Sequence, residues 1–168
     1  MQDKGKERES KDDIAARSTK ILDIFKAIKG KPVQDFPVPP LTKWLNGKIV
    51  SAERGDVVVQ LVVRPEMANP TGLLHGGMQC AMLDDIIGMT SATLGYKGFL
   101  ITIDMNVNYL GKVKVGEDVT SHGHITREGR SIVHAVAELK DKDGNLVATA
   151  SSNLLMTTHE PDYAKQLV

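Results

Sequence analysis

The sequence holds a single cysteine, Cys80, among 168 residues. That excludes an internal disulfide framework and gives no sign of an oxidising compartment. Neither charge is in excess: 21 Lys and Arg balance 21 Asp and Glu, so no global field draws the chain to nucleic acid or to an anionic membrane. No apolar run approaches the roughly 20 residues needed to span a bilayer. The opening "MQDKGKERESKDD" mixes both charge signs and has no apolar centre, unlike a secretory signal or an acid-poor transit peptide. Together these absences predict a cytoplasmic protein with no nucleic-acid partner and no membrane insertion. There is also no internal repeat and no strand–helix alternation, which argues against a parallel doubly wound sheet.

What is present fits one domain with a full core. Residues 1–10 are polar and are expected to be disordered. From Asp12 to Lys29 an amphipathic helix is predicted by Ile14, Ile21, Leu22, Phe25 and Ile28, ending at Gly30 with Pro32 beyond. Packing of that helix on its own domain is the favoured reading over a partner or membrane-surface helix, because acidic residues interrupt its polar face. A proline-rich connector completes residues 1–43, the compact domain spans 44–158, and 159–168 form a tail. "KIVSAERGDVVVQLVVRP" reads as two strands around a turn at Arg54–Gly55–Asp56. A long apolar helix follows, from about Gly76 to Leu94. Then "LITIDMNVNYL", "DVTSHGHITREGRSIVHAVAELKD" and "LVATASSNLLMTT" give about four more strands, the middle run splitting at "REGR" and the last hairpin turning at Asp143–Gly144. The predicted fold class is α+β, one antiparallel sheet wrapped around one central helix.

The central helix carries a contradiction. "GLLHGGMQCAMLDDIIGMTSATLG" is apolar or small almost throughout, as in a helix buried on all sides. Yet Asp84 and Asp85 sit in its middle, where burying charge is expensive. The His75–Gly76–Gly77 turn lets backbone approach a ligand closely, and a helix start offers unpaired N–H groups at the positive end of its dipole. Such a turn suits the oxyanion formed when a carbonyl is attacked. With Asp84 two turns along, one carbonyl is expected to meet both. Neighbouring residues on a helix point about 100° apart, so only one of the two carboxylates can face it, and Asp84 is the choice.

These residues carry a resemblance. "NPTGLLHGGMQCAMLDDIIG", then "TIDMNVNYL" and the strand-rich run to "ATASS", covering roughly 47–158, resemble the hotdog-fold acyl-CoA thioesterases. The nearest subgroup is the phenylacetic-acid-pathway (PaaI-like) one, which includes the thioesterase superfamily member 2 type. The resemblance implies hydrolysis of an acyl- or aryl-CoA to free acid and CoA, in homodimers commonly paired into tetramers with active sites between subunits. It implies no cofactor, coenzyme A being part of the substrate. Asp84 would be general base or nucleophile, and the Gly76 N–H would polarise the thioester carbonyl. Asn69 would position water or carboxylate, and His75 would shape the turn. Thr102 stands where the subgroup often has a serine, supplied from the partner subunit. Asp85 departs from the simplest pattern, many relatives carrying a neutral residue there. Substrate contacts are further expected at Gly77 and Asp85, and at Lys112, Lys114, Arg127 and Arg130 for the phosphates of coenzyme A.

Rival constellations are weaker. His122, His124 and His134 suggest zinc only loosely, since no Cys or carboxylate completes a site at recognisable spacing. Cys80 does not stack on His75 along the helix, so a packed thiol is favoured over a nucleophile. Met78, Met82 and Met89 read as adaptable core packing or as an acyl tunnel lining. Two alternative functions stay open: an enoyl-thioester hydratase or dehydratase, which needs a His–acid pair, and a non-catalytic acyl-CoA sensor.

Overall fold

The structure is a computed structural model and describes residues 9–160; most of the expected start and tail lies outside them. The first helix starts one residue earlier than expected. The Ser10 hydroxyl accepts the Asp13 N–H at 3.0 Å, an N-cap of the favoured type, and Glu9 pairs with Arg17. Helix α1 then runs Lys11–Ile28. It packs on its own chain: the Ser18 hydroxyl donates to the Thr93 carbonyl at 2.6 Å, and Arg17 Nε donates to the Gly95 carbonyl at 2.9 Å. Contact there is so close that a Cβ on Gly95, already at φ +83, would lie 2.3 Å from the Ile14 carbonyl oxygen.

The proline-rich connector is more than a link. It folds into a 3-10 turn at Val33–Asp35 and a short helix α2 at Pro40–Leu45, with Pro40 in the first turn, where its missing N–H costs nothing. Val33 and Leu45 are fully buried and share one core with the sheet residues.

Around the Arg54–Gly55 turn, β1 (Lys48–Glu53) and β2 (Asp56–Val62) pair antiparallel. After a 3-10 turn at Pro65–Met67 comes the central helix α3, Gly76–Ala92, ending two residues before the expected limit. Four strands follow: β3 (Leu100–Tyr109), β4 (Asp118–Glu128), β5 (Ile132–Asp141) and β6 (Leu146–Met156). All pairings are antiparallel and the sheet order is β1-β2-β4-β5-β6-β3. The alternation in "IVHAVAELKD" becomes alternate burial along β5, with Val133, Ala135, Ala137 and Leu139 inward.

Helix α3 lies across one face of this sheet. Met82, Leu83, Ile86 and Ile87 are essentially sealed from solvent, each such side chain contributing about 1.5–3 kcal/mol of hydrophobic stabilisation. Gly123 on β4 permits the approach: a Cβ there would stand 2.4 Å from Thr90 Oγ1 and 3.0 Å from the Ile86 carbonyl. Among the described residues no helix is long and apolar enough to cross a membrane.

Candidate active site

Burial of α3 on all sides, expected from its composition, holds only for the face against the sheet. Gly76, Cys80 and Asp84 follow one another at i, i+4 and i+8, a stripe on one side of the helix, and all three are only half-buried. Beside Asp84, and beyond Gly76 and Cys80, which lie outside its lining, opens a cleft of about 480 Å³ bounded by α3, β3, α1 and α2. Its lining is mostly apolar, including Ile21, Phe25, Val38, Leu41, Met89 and Phe99. Its size falls within the range of small-molecule pockets. The acids are tolerated because they face this cleft rather than the sealed core. Of the methionines, Met82 is core while Met89 lines the cleft.

At the start of α3, His75 is the N-cap, and its Nδ1 accepts the Gly77 N–H at 2.9 Å. Gly77, expected to touch substrate, therefore has its N–H engaged within the chain. The Gly76 N–H has no hydrogen-bond partner among the described residues, so it is the donor left free at this helix start. The Tyr109 ring lies against Gly76, 3.4 Å from where a Cβ would stand, and its hydroxyl pairs with Cys80 Sγ at 2.9 Å. Cys80 is therefore half-buried beside a tyrosine rather than packed in the core. Asn69 Oδ1 accepts from Thr71 N, Thr71 Oγ1 and Leu73 N; its carbonyl builds the loop into α3 and only its amide nitrogen remains to meet a ligand.

Asp84 is half-buried and accepts a hydrogen bond from Thr102 Oγ1 at 2.9 Å. Both residues belong to one chain, because β3 runs alongside α3 as the edge strand next to β6. The threonine expected from a partner subunit thus meets the Asp84 of its own chain. A second observation concerns distance. Eight residues of helix separate Gly76 from Asp84 by about 12 Å, whereas a carbonyl held between an N–H and a carboxylate fills roughly 7 Å. The Asp84 side chain leans back toward the helix start, and the two Cα atoms still stand further apart than one carbonyl spans.

Asp85 points to a different partner. Its Oδ1 accepts from Thr42 Oγ1 of α2 at 2.6 Å. Burial, chiefly, pushes its carboxyl up from 3.8 to about 6; the Thr42 bond opposes that and the charge of Asp84 adds to it. Thr42 and Tyr109 are the residues that the sequence reading missed.

The four cations expected to meet coenzyme A do not converge within one chain. Lys112 and Lys114 flank the start of α3, where Leu73 bridges to Lys114 and the Leu74 N–H donates to the Val113 carbonyl. Arg127 and Arg130 lie near the other end, around Glu128, which binds Arg54 and Tyr96 beside Leu94. The 17 residues of α3 hold these ends about 25 Å apart. His122 and His124 converge on Asp56, with contacts of 3.0 Å, while His134 meets Thr126. Among the described residues no cluster of three or more potential ligands is placed to hold a metal.

Comparison with known proteins bears on the fold and the family. The profile of the Thioesterase superfamily matches residues 71–148. Human acyl-coenzyme A thioesterase 13 is 32% identical over 105 residues, covering 61% of this chain and 75% of that protein. The solved structure of zebra fish thioesterase superfamily member 2 superposes with a TM-score of 0.66 at 27% identity, over 82% of this chain and 96% of that one. A Streptococcus mutans protein solved bound to acetyl CoA gives 0.64 at 26% identity, over 69% and 92%. The fold is the α+β hotdog arrangement, a central helix on a six-stranded antiparallel sheet with an added N-terminal helix. The chain belongs to the thioesterase superfamily.

Proposed function

We propose that the chain hydrolyses acyl-CoA thioesters, with Asp84 as general base or nucleophile and the Gly76 N–H polarising the carbonyl, at sites completed between two copies. The observation that carries this reading is the pair Asp84–Thr102 at the wall of an apolar cleft. A carboxylate held by a hydroxyl, beside room for an acyl group, is what attack on a thioester requires. Coenzyme A bound to a superfamily relative favours the same substrate class.

The need for a second copy follows from the 12 Å gap. Two α3 helices running antiparallel about a two-fold axis bring residue i of one beside residue j of the other with i + j constant. Pairing Gly76 with Asp84 puts the axis at Cys80, midway along the same stripe. Edge strand β3 supports such pairing. It exposes Ile103 and Tyr109 by 53% and 54%, and an uncovered apolar edge invites another strand. The arrangement also brings the Lys112–Lys114 end of one chain toward the arginine end of the other, so both cation pairs serve coenzyme A. Dimers paired into tetramers, and a cytoplasmic setting, belong to the same reading.

The hydratase alternative needs a histidine beside an acid. His75 instead has its Nδ1 engaged by Gly77, which favours hydrolysis. The test is free-thiol release from a panel of acyl- and aryl-CoAs by wild type and Asp84→Asn. Loss of about 10²–10⁴ in rate, with binding retained, is expected. Equal activity of the variant refutes the assignment; tight binding without release from any thioester by wild type means a sensor.

A further inference from the structure

We propose that Asp85 determines acyl specificity: its carboxyl, steadied by Thr42, selects acyl groups carrying a hydroxyl near the thioester over apolar groups of the same length. This rests on the acyl-CoA reading of the cleft. The argument begins with the unequal fates of the two Asp85 oxygens. Oδ1 accepts from Thr42 Oγ1 at 2.6 Å, while Oδ2 has no hydrogen-bond partner among the described residues. Nor is Oδ2 sealed inside the protein, since Gln79 Oε1 is the one side-chain atom among them that is both buried and unpartnered. Asp85 lines both the cleft and a smaller recess that it shares with Thr42 and Met82; the unpartnered Oδ2 is assigned to the cleft, the space with room for an acyl group. No cation neutralises it: Asp85 forms no ion pair among the described residues, and Lys97, the cation in the cleft lining, is paired with Glu160 at 2.9 Å.

A hydrocarbon chain entering this cleft would strip water from Oδ2 and return nothing, leaving a polar atom buried without a partner. A hydroxyl on the chain supplies the missing donor, and the penalty against the analogue lacking it is what makes such a group discriminating. An ammonium would bring a second charge into an apolar chamber at a heavy desolvation cost, so the neutral donor is preferred. Asp85 follows Asp84 directly, with Cα atoms about 3.8 Å apart and side chains splayed by about 100°. The hydroxyl therefore sits among the first carbons beyond the carbonyl, not at the far end of the chain. Thr42 acts through Asp85 as a positioning residue, which ties α2 to the choice of substrate.

The test is calorimetric titration of the Asp84→Asn protein with octanoyl-CoA and its 3-hydroxy, 5-hydroxy and 3-amino analogues. The measurement is then repeated with Asp85→Asn and Asp85→Leu added, alongside kcat/KM on the Asp84 background. A hydroxylated analogue is expected to bind about ten- to a hundredfold tighter than octanoyl-CoA, as for a hydrogen bond to a charged group. Asp85→Asn should keep part of that ratio, and Asp85→Leu should bring it close to one. Equal affinities in the parent, a ratio that survives Asp85→Leu, an equal loss for all four ligands, or preference for the amine overturns the proposal. A hydroxyl preference in binding without thiol release from any member overturns the hydrolase reading instead and leaves the role of Asp85 standing.

Discussion

Replacing Asp85 by asparagine should change how stability depends on pH more than it changes stability itself. Moving a carboxyl from 3.8 to about 6 disfavours its ionised form in the folded protein by roughly 3 kcal/mol, at about 1.36 kcal/mol per tenfold step. The sign follows from proton uptake: between those two values the folded state holds a proton that the unfolded chain has released. The contribution of Asp85 is therefore fully present below about pH 4 and is lost as pH rises through about 6. Between about pH 5 and pH 8 the wild type should lose about 1.4 kcal/mol through this group alone. Asp85→Asn keeps an oxygen for the Thr42 hydroxyl but carries no titrating group, so its stability should lack that fall. Urea unfolding of both proteins across this range, at one fixed protein concentration because association adds to apparent stability, gives the difference directly. A wild-type-minus-variant difference that stays flat with pH would refute the burial argument, and with it the view that Asp85 is ionised at a cost.

Three further outcomes are expected. Thr102→Ala should lower kcat/KM by about tenfold, the worth of one hydrogen bond to a partly exposed carboxylate, and Thr102→Ser should restore it; an unaffected alanine variant in the thiol-release assay detaches Thr102 from the reaction. Gly123→Ala should cost about 1–3 kcal/mol of stability, because the new Cβ meets Thr90 Oγ1, itself fixed by a 2.7 Å bond to the Ile86 carbonyl; an unchanged urea midpoint contradicts the tight seating of α3. Since Cys80 is the chain's one cysteine, a short bismaleimide should join two chains only through that residue in each, spanning the roughly 8–10 Å between packed helix axes. Unjoined chains, each with its Cys80 carrying a singly attached reagent, argue against a two-fold axis there.

The strands were legible because their signals are local. The Asp143–Gly144 turn, with Gly144 at φ +84, and the two-residue period of β5 each lie within a dozen residues. Helix α3 was legible as an element and misread as an environment. Composition reports how apolar a segment is, but a side chain facing an apolar cleft and one facing a sealed core look alike in sequence. Asp84 could be singled out because charge in an apolar run is locally anomalous. The Thr42–Asp85 contact could not, as 43 residues separate the two and nothing in "PPLTKWL" marks its threonine as a partner for an acid. The 12 Å between Gly76 and Asp84 was implicit in the helical rise, yet its meaning emerged only once Thr102 was seen beside Asp84, far from the free N–H of Gly76.

The cleft draws its walls from two separate stretches of sequence. Asp84, Asp85 and Thr102 lie within residues 71–148, the part that matches the superfamily, whereas Ile21, Phe25, Ile28, Val38, Leu41 and Thr42 come from the segment before it. A change in that leading segment alters what the chamber admits without moving the groups proposed to do the chemistry. Exchanging residues 10–45 as a cassette, with the Ser18 and Arg17 anchors on Thr93 and Gly95 retained, would therefore be a way to retarget the protein while its reaction stays as it is.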